Sequence, residues 1–209
     1  MASCVDTKPP AIKRLGMLGG AFDPPHRAHF ALAQAAIEQL QLDQLRIIPT
    51  GQAWHKTRTL TSVQHRLAMC ELGFAELDHA MVDPRETLRS GATYTFDTLS
   101  ELRQEFPAAQ LFLVLGEDQA RAFTTWHRWE AIADLAIICV AARADESGAT
   151  RGFSTEFAPS TSFHRLELPL LPLSATDIRQ RVASHKSILL LVFDSVARYI
   201  EQHHLYLTP

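Results

Sequence analysis

Apolar and polar positions follow two periods along this chain: short apolar runs of strand length, and longer stretches with helical spacing. Residues 12–18 (IKRLGML) form a mostly apolar run closed by Gly19 and Gly20, which predicts a first buried strand. Pro24 and Pro25 then suit the opening of a helix. Residues 29–40 continue it, with Phe30, Leu32, Ala33, Ala36, Ile37 and Leu40 apolar. Residues 45–48 (LRII), stopped by Pro49, read as a second strand, 63–77 as a second helix, and 80–82 as a short strand. Residues 94–106 read as a third helix stopped by Pro107, and 111–115 (LFLVL) as the clearest buried strand. A further strand is predicted at 135–140 (LAIICV) and a last apolar run at 166–173, followed by helices at 175–183 and 192–202.

Strands alternating with helices predict an α/β fold: a Rossmann-like, doubly wound parallel sheet with helices on both faces and a small helical C-terminal part. Between residues 144 and 162 the composition turns to Ser, Thr, Gly, Ala and charge, which predicts a surface connection; residues 1–11 read as an N-terminal extension. No composition shift marks a second domain, so a single domain over 1–209 is expected.

Charge narrows the function classes. A net charge of −3 gives no global attraction to nucleic acid or to an anionic membrane, so any phosphate must be bound by a local site. Cys4, Cys70 and Cys139 have no metal or redox spacing and read as reduced thiols. Without an apolar leader or a run of about 18 apolar residues, the expected location is the cytoplasm.

The polar clusters fall at strand ends, where ligands bind in open α/β sheets. They are residues 19–29 after the first strand, 116–118 after the fourth and 174–179 after the last. The first cluster has neither G-x-G-x-x-G nor G-x-x-x-x-G-K-[ST] spacing. It reads GGAFDPPHRAH. Gly19 and Gly20 admit an anion close to the backbone, Asp23 is placed to cap the following helix, and His26 and His29, three apart, share one face. Two imidazoles above a helix N-terminus make a donor site for phosphate, although surface histidines or a metal pair would show the same spacing. In the third cluster Ser174 suits an N-cap and Arg179 offers a fork for phosphate.

GGAFDPPHRAH resembles the G-G-T-F-D-P-x-H-x-G-H signature of adenylyl- and cytidylyltransferases, and residues 173–179 (LSATDIR) resemble their closing I-S-S-T-x-I-R. The likeness is greatest to the bacterial nicotinate-nucleotide adenylyltransferase family and covers nearly the whole chain. Ile48-Pro49 with His55-Lys56 is similar to I-P-x-x-x-P-P-H-K, residues 92–99 to P-S-Y-T-x-x-T-L, and residues 115–118 to the family's G-x-D loop. Trp126, Trp129 and Ile132 resemble W-x-x-W-x-x-I, and Val196, Tyr199 and Ile200 with Leu205-Tyr206 resemble V-x-x-Y-I…L-Y.

The resemblance implies transfer of AMP from ATP to nicotinate mononucleotide, giving deamido-NAD and pyrophosphate, with Mg²⁺ bound alongside ATP. It places His26, His29 and Arg179 on the triphosphate. Gly19, Gly20, Phe22, Asp23, Gly116, Asp118, Ser174 and Thr176 fall around ATP. His55, Lys56, Tyr94, Thr95, Trp126 and His127 fall around the mononucleotide, with Trp126 stacked on the pyridine ring. Asp118 also suits a plain N-cap, His55 and Lys56 a plain basic loop, and Trp129 reads as core. No all-protein metal site is expected, and a homo-oligomer is compatible with the sequence. Four positions depart from the family pattern: Ala28 for Gly, Trp54 for Pro, Ala175 for Ser and Phe193 for Pro. Open alternatives are another acceptor, such as phosphopantetheine or nicotinamide mononucleotide, and a non-catalytic nucleotide-binding protein of the same fold.

Overall fold

A computed structural model describes residues 11–51, 60–143, 163–168 and 171–207. Six strands build one sheet: β1 (Arg14–Gly20), β2 (Gln44–Pro49), β3 (Ala80–Val82), β4 (Gln110–Gly116), β5 (Ile137–Arg143) and β6 (Phe163–Leu168). Their spatial order is β3-β2-β1-β4-β5-β6, and every neighbouring pair is parallel. The helices are α1 (Arg27–Leu40), α2 (Val63–Phe74), α3 (Thr95–Glu105), α4 (Glu117–Arg121), α5 (Trp129–Leu135), α6 (Ala175–Ala183) and α7 (Asp194–Gln202).

The period-2 alternation of β1 splits its side chains between two cores. Leu18 faces the side on which α1 packs Leu32, Ala33, Ala36 and Leu40 and α2 packs Cys70 and Phe74. Leu15 and Met17 face the other side, against Leu99 and Leu102 of α3 and Ile132 of α5. Both faces are therefore covered, as expected for a doubly wound sheet. A third cluster joins Met69 of α2 to Ile178 of α6 and to Val196 and Ile200 of α7, which makes the C-terminal helical part.

Several boundaries differ from expectation for physical reasons. β6 is not the apolar run 166–173 but Phe163–Leu168, with only Leu166 buried. An edge strand covered on one face needs few apolar residues, so its pattern is faint. Leu135 ends α5 rather than starting β5. The five-residue α4 and seven-residue α5 are too short to show a helical period. The expected surface connection 144–162 and the extension 1–10 lie outside the described residues.

Candidate active site

Because β1 is flanked by β2 and β4, the chain order reverses between β1 and β4, and the loops beyond these two strands part there. A cleft of about 1100 Å³ opens at this point. That is near the upper limit for a single small-molecule site and leaves room for two substrates side by side.

The loop after β1 forms one wall. Gly19, Gly20, Phe22, Asp23, Ala28 and both histidines line the cleft. A Cβ on Gly20 would come within 3.1 Å of the Phe22 ring, so glycine there lets that ring fold back under the loop. Phe22 is buried with φ +45°, a region bulky side chains rarely adopt. Packing edge-on to His29 and Phe74 holds it there. His26 and His29 stack with ring centroids 3.7 Å apart, and His29 Nδ1 accepts the His26 backbone N–H at 3.2 Å. His26 is buried, its Nδ1 has no hydrogen-bond partner among the described residues, and desolvation pushes its pKa down to about 4. The His26 ring is thus neutral near pH 7 and lines the cleft beside His29.

Asp23 does not cap α1. The N-cap is His26, because the two prolines carry the chain past Asp23 before the helix begins. Instead the Asp23 carboxylate is buried and accepts from Tyr206 O–H at 2.6 Å and from the Thr61 N–H at 3.2 Å. Behind the loop lies Arg66, fully buried on α2. Its guanidinium donates to the carbonyls of Thr61 at 3.0 Å, Ala21 at 3.0 Å and Gly51 at 3.5 Å. Sequence reading missed Arg66, which sits in a helical pattern like any surface cation.

α6 brings the third cluster to the same cleft. Ser174 caps it as expected, its Oγ accepting the Asp177 N–H at 3.1 Å, and its side chain is therefore engaged in the helix rather than at the cleft surface. Ala175, Thr176 and Arg179 line the cleft. Arg179 donates to the Asp23 carbonyl at 2.8 Å and to Thr176 Oγ1 at 3.0 Å, which joins the first and last motifs directly.

The opposite wall comes from the start of α3 and the segment after β4. Tyr94 is the N-cap residue of α3, and its ring lies 4.5 Å from that of His127. Thr95, Gly116, Asp118, Trp126 and His127 line the cleft with it. Asp118 sits inside the first turn of α4, whose N-cap is Gly116, so the capping role falls away. Trp126 and Trp129 are both half-buried, meet Phe123 edge-on and pack against the α3–α5 core, as expected for Trp129; of the two, Trp126 also lines the cleft. Glu86 and Thr93 also line this wall and were missed. Burial raises the Glu86 pKa, against the Thr98 hydroxyl that donates to it at 2.8 Å. His55, Lys56 and Trp54 lie outside the described residues. Phe193, at the N-cap of α7, packs against Phe30 and under the Arg27 guanidinium, so an aromatic there has a local packing role.

The arrangement can hold a polyanion against imidazoles and a guanidinium on one wall and a flat ring against aromatics on the other. The cytidylyltransferase-like family model matches residues 17–181. A relative from Albidiferax ferrireducens named "Probable nicotinate-nucleotide adenylyltransferase" is 57% identical over 94% of this chain and 100% of its own length. One of the same name from Methylibium petroleiphilum is 40% identical over 94% of each. The solved nicotinic acid mononucleotide adenylyltransferase of Plasmodium falciparum, complexed with NaAD, superposes with a TM-score of 0.73 over 93% of this chain and 97% of that one. At 19% identity, that likeness speaks for the fold. By sequence, fold and cleft, the chain belongs to the cytidylyltransferase-like family and, within it, to the nicotinate-nucleotide adenylyltransferases.

Proposed function

We propose that this chain, acting as one domain, joins nicotinate mononucleotide to AMP from ATP in NAD biosynthesis, releasing pyrophosphate. The observation that carries the site assignment is the meeting of the His26–His29 stack with Arg179 on one wall of the cleft, opposite Tyr94 and Trp126. His26, His29 and Arg179 hold the triphosphate. Gly19, Gly20, Phe22, Asp23, Gly116, Asp118 and Thr176 shape the ATP pocket, and Ser174 acts by capping α6. Tyr94, Thr95, Trp126 and His127 receive the mononucleotide, with Trp126 against the pyridine ring and backbone N–H groups near Thr95 and His127 for its carboxylate. His55 and Lys56 are assigned to the mononucleotide phosphate.

The chemistry asks little of a general base. A phosphate monoester with a second pKa near 6 is largely dianionic at neutral pH and attacks the α-phosphorus in line. The work is to bring two anions together and to stabilise charge on the α-phosphate and the leaving pyrophosphate. The stacked histidines cannot both carry a proton cheaply at 3.7 Å. The neutral His26 ring therefore meets the triphosphate as a hydrogen-bonding group, and Arg179 supplies the fixed positive charge on this wall.

Among the described residues no group of three His, Cys, Asp or Glu side chains is placed to hold a metal, and the Asp23 carboxylate is engaged by Tyr206 and Thr61. This donor set fits Mg²⁺ carried by the phosphates and water, where it would neutralise phosphate charge. No described helix is long and apolar enough to cross a membrane; a cytoplasmic location completes the reading. Pyrophosphate release from ATP should appear with nicotinate mononucleotide and be weaker with nicotinamide mononucleotide or phosphopantetheine. Equal or faster release with either of those would move the acceptor assignment.

A further inference from the structure

The Leu205-Tyr206 pair near the C-terminus has no part in the chemistry above, yet Tyr206 reaches the phosphate wall. It lies just past α7 at φ +63°, a left-handed backbone region that bulky residues rarely adopt. From there its hydroxyl donates to Asp23 Oδ1 at 2.6 Å, across 183 residues of sequence. Burial, then the neighbouring Asp23 charge, raises the Tyr206 pKa, so the hydroxyl keeps its proton and remains a donor.

Asp23 is a junction. Its second carboxylate oxygen accepts the Thr61 N–H, and its carbonyl accepts Arg179 Nη1 at 2.8 Å. Arg66 holds the same junction from behind, binding Thr61 through its carbonyl and the phosphate loop through Ala21. The loop after β1, the start of α2 and the α6 arginine are thus tied to one residue, Thr61 through the Asp23 carboxylate and Arg179 through the Asp23 carbonyl. A phenylalanine at 206 would fill the same space. The hydroxyl adds a short directed bond to Asp23, beside a side-chain contact with Thr61 and a longer one of 3.9 Å to Met69 Sδ, at the cost of burying polar groups.

We propose that Tyr206 is a positioning residue for adenylyl transfer: its bond to the Asp23 carboxylate holds the Asp23 carbonyl against Arg179 and aims that guanidinium at the triphosphate. This rests on the role assigned to Arg179 above. A guanidinium already bracketed between the Asp23 carbonyl and Thr176 loses little freedom when the phosphates arrive, so its full effect is felt at the transition state.

The test is a double-mutant cycle in steady-state kinetics with Y206F, R179A and the double variant, each checked for folding by circular dichroism and thermal midpoint. Y206F should lower kcat by about tenfold, the scale of one directed hydrogen bond, with the KM for nicotinate mononucleotide unchanged within about twofold. R179A should cost about 100-fold or more. In the R179A background, adding Y206F should change kcat by less than about twofold, because the residue it aims is gone. Wild-type kcat in Y206F, or an equal penalty in both backgrounds, would overturn the proposal. Wild-type turnover in R179A would instead remove the Arg179 assignment, and this proposal with it. Should Y206F not fold, D23A, which removes the acceptor of the Tyr206 hydroxyl but keeps the backbone carbonyl that meets Arg179, takes its place in the same cycle with the same criteria.

Discussion

The phosphate wall of the cleft is held by buried polar contacts, whereas the acceptor wall presents half-exposed rings beside the buried Glu86 and Thr93. On the first, Asp23, His26 and Arg66 are all more than nine-tenths buried, and Asp23 and Arg66 tie together segments distant in sequence. On the second, Tyr94 and Trp126 are half-buried, His127 is exposed, and their contacts are largely ring against ring. Hydrogen-bonded side chains locked in place suit a group whose charge must be met at fixed points. Flat rings at the cleft surface suit a heterocycle recognised by area. The contrast predicts that damage to the first wall appears in kcat and damage to the second in KM.

The largest effect should come from His29→Ala. Loss of one donor at a developing oxyanion costs about 10²–10³ in rate, and the variant should keep its circular dichroism spectrum. A folded variant with near-normal turnover would remove the histidine from the chemistry. Next is a pH effect on stability. His26 binds its proton only below about pH 4 when folded, but near its ordinary value of 6.5 when unfolded. Between those values the unfolded chain binds more protons, so stability present above pH 6.5 is lost as pH falls toward 4. Thermal midpoints measured from pH 7 to pH 4 should decline, and His26→Gln should flatten that part of the decline. An equal slope in both proteins would show that His26 is not desolvated.

Trp126→Ala should raise the KM for nicotinate mononucleotide by about tenfold, the scale of one lost stacking face, and leave the KM for ATP unchanged. A matching rise for ATP would blur the division between the walls. Ala28→Gly should have the smallest effect, a change in turnover below about threefold, since the methyl group lines the cleft but removes no donor. A larger gain would mean that this methyl group, absent from the usual family pattern, holds the nucleotide off the backbone.

The parts of this site legible in the sequence are those whose physics is local. Ser174 and Asp177 lie three residues apart, so a cap can be read from spacing alone. The His26–His29 stack follows from a helical interval, and the strand-end clusters from an alternating pattern. Asp23 was misread because its actual partner, Tyr206, is 183 residues away while a local role lay two prolines ahead. Arg66 and Glu86 were invisible for the related reason that a charged residue in a polar pattern looks solvated until the fold buries it. Of the fold, α4 and α5 were lost to shortness and β6 to its half-covered edge position.

The central claim is that ATP is cut between its α- and β-phosphates by a phosphate acceptor. Incubation of the protein with nicotinate mononucleotide and ATP labelled at the α-phosphorus tests it directly. The label should appear in deamido-NAD, with one pyrophosphate released for each dinucleotide formed. Label recovered in ADP or free AMP, or left entirely in ATP by a folded protein, would contradict the account.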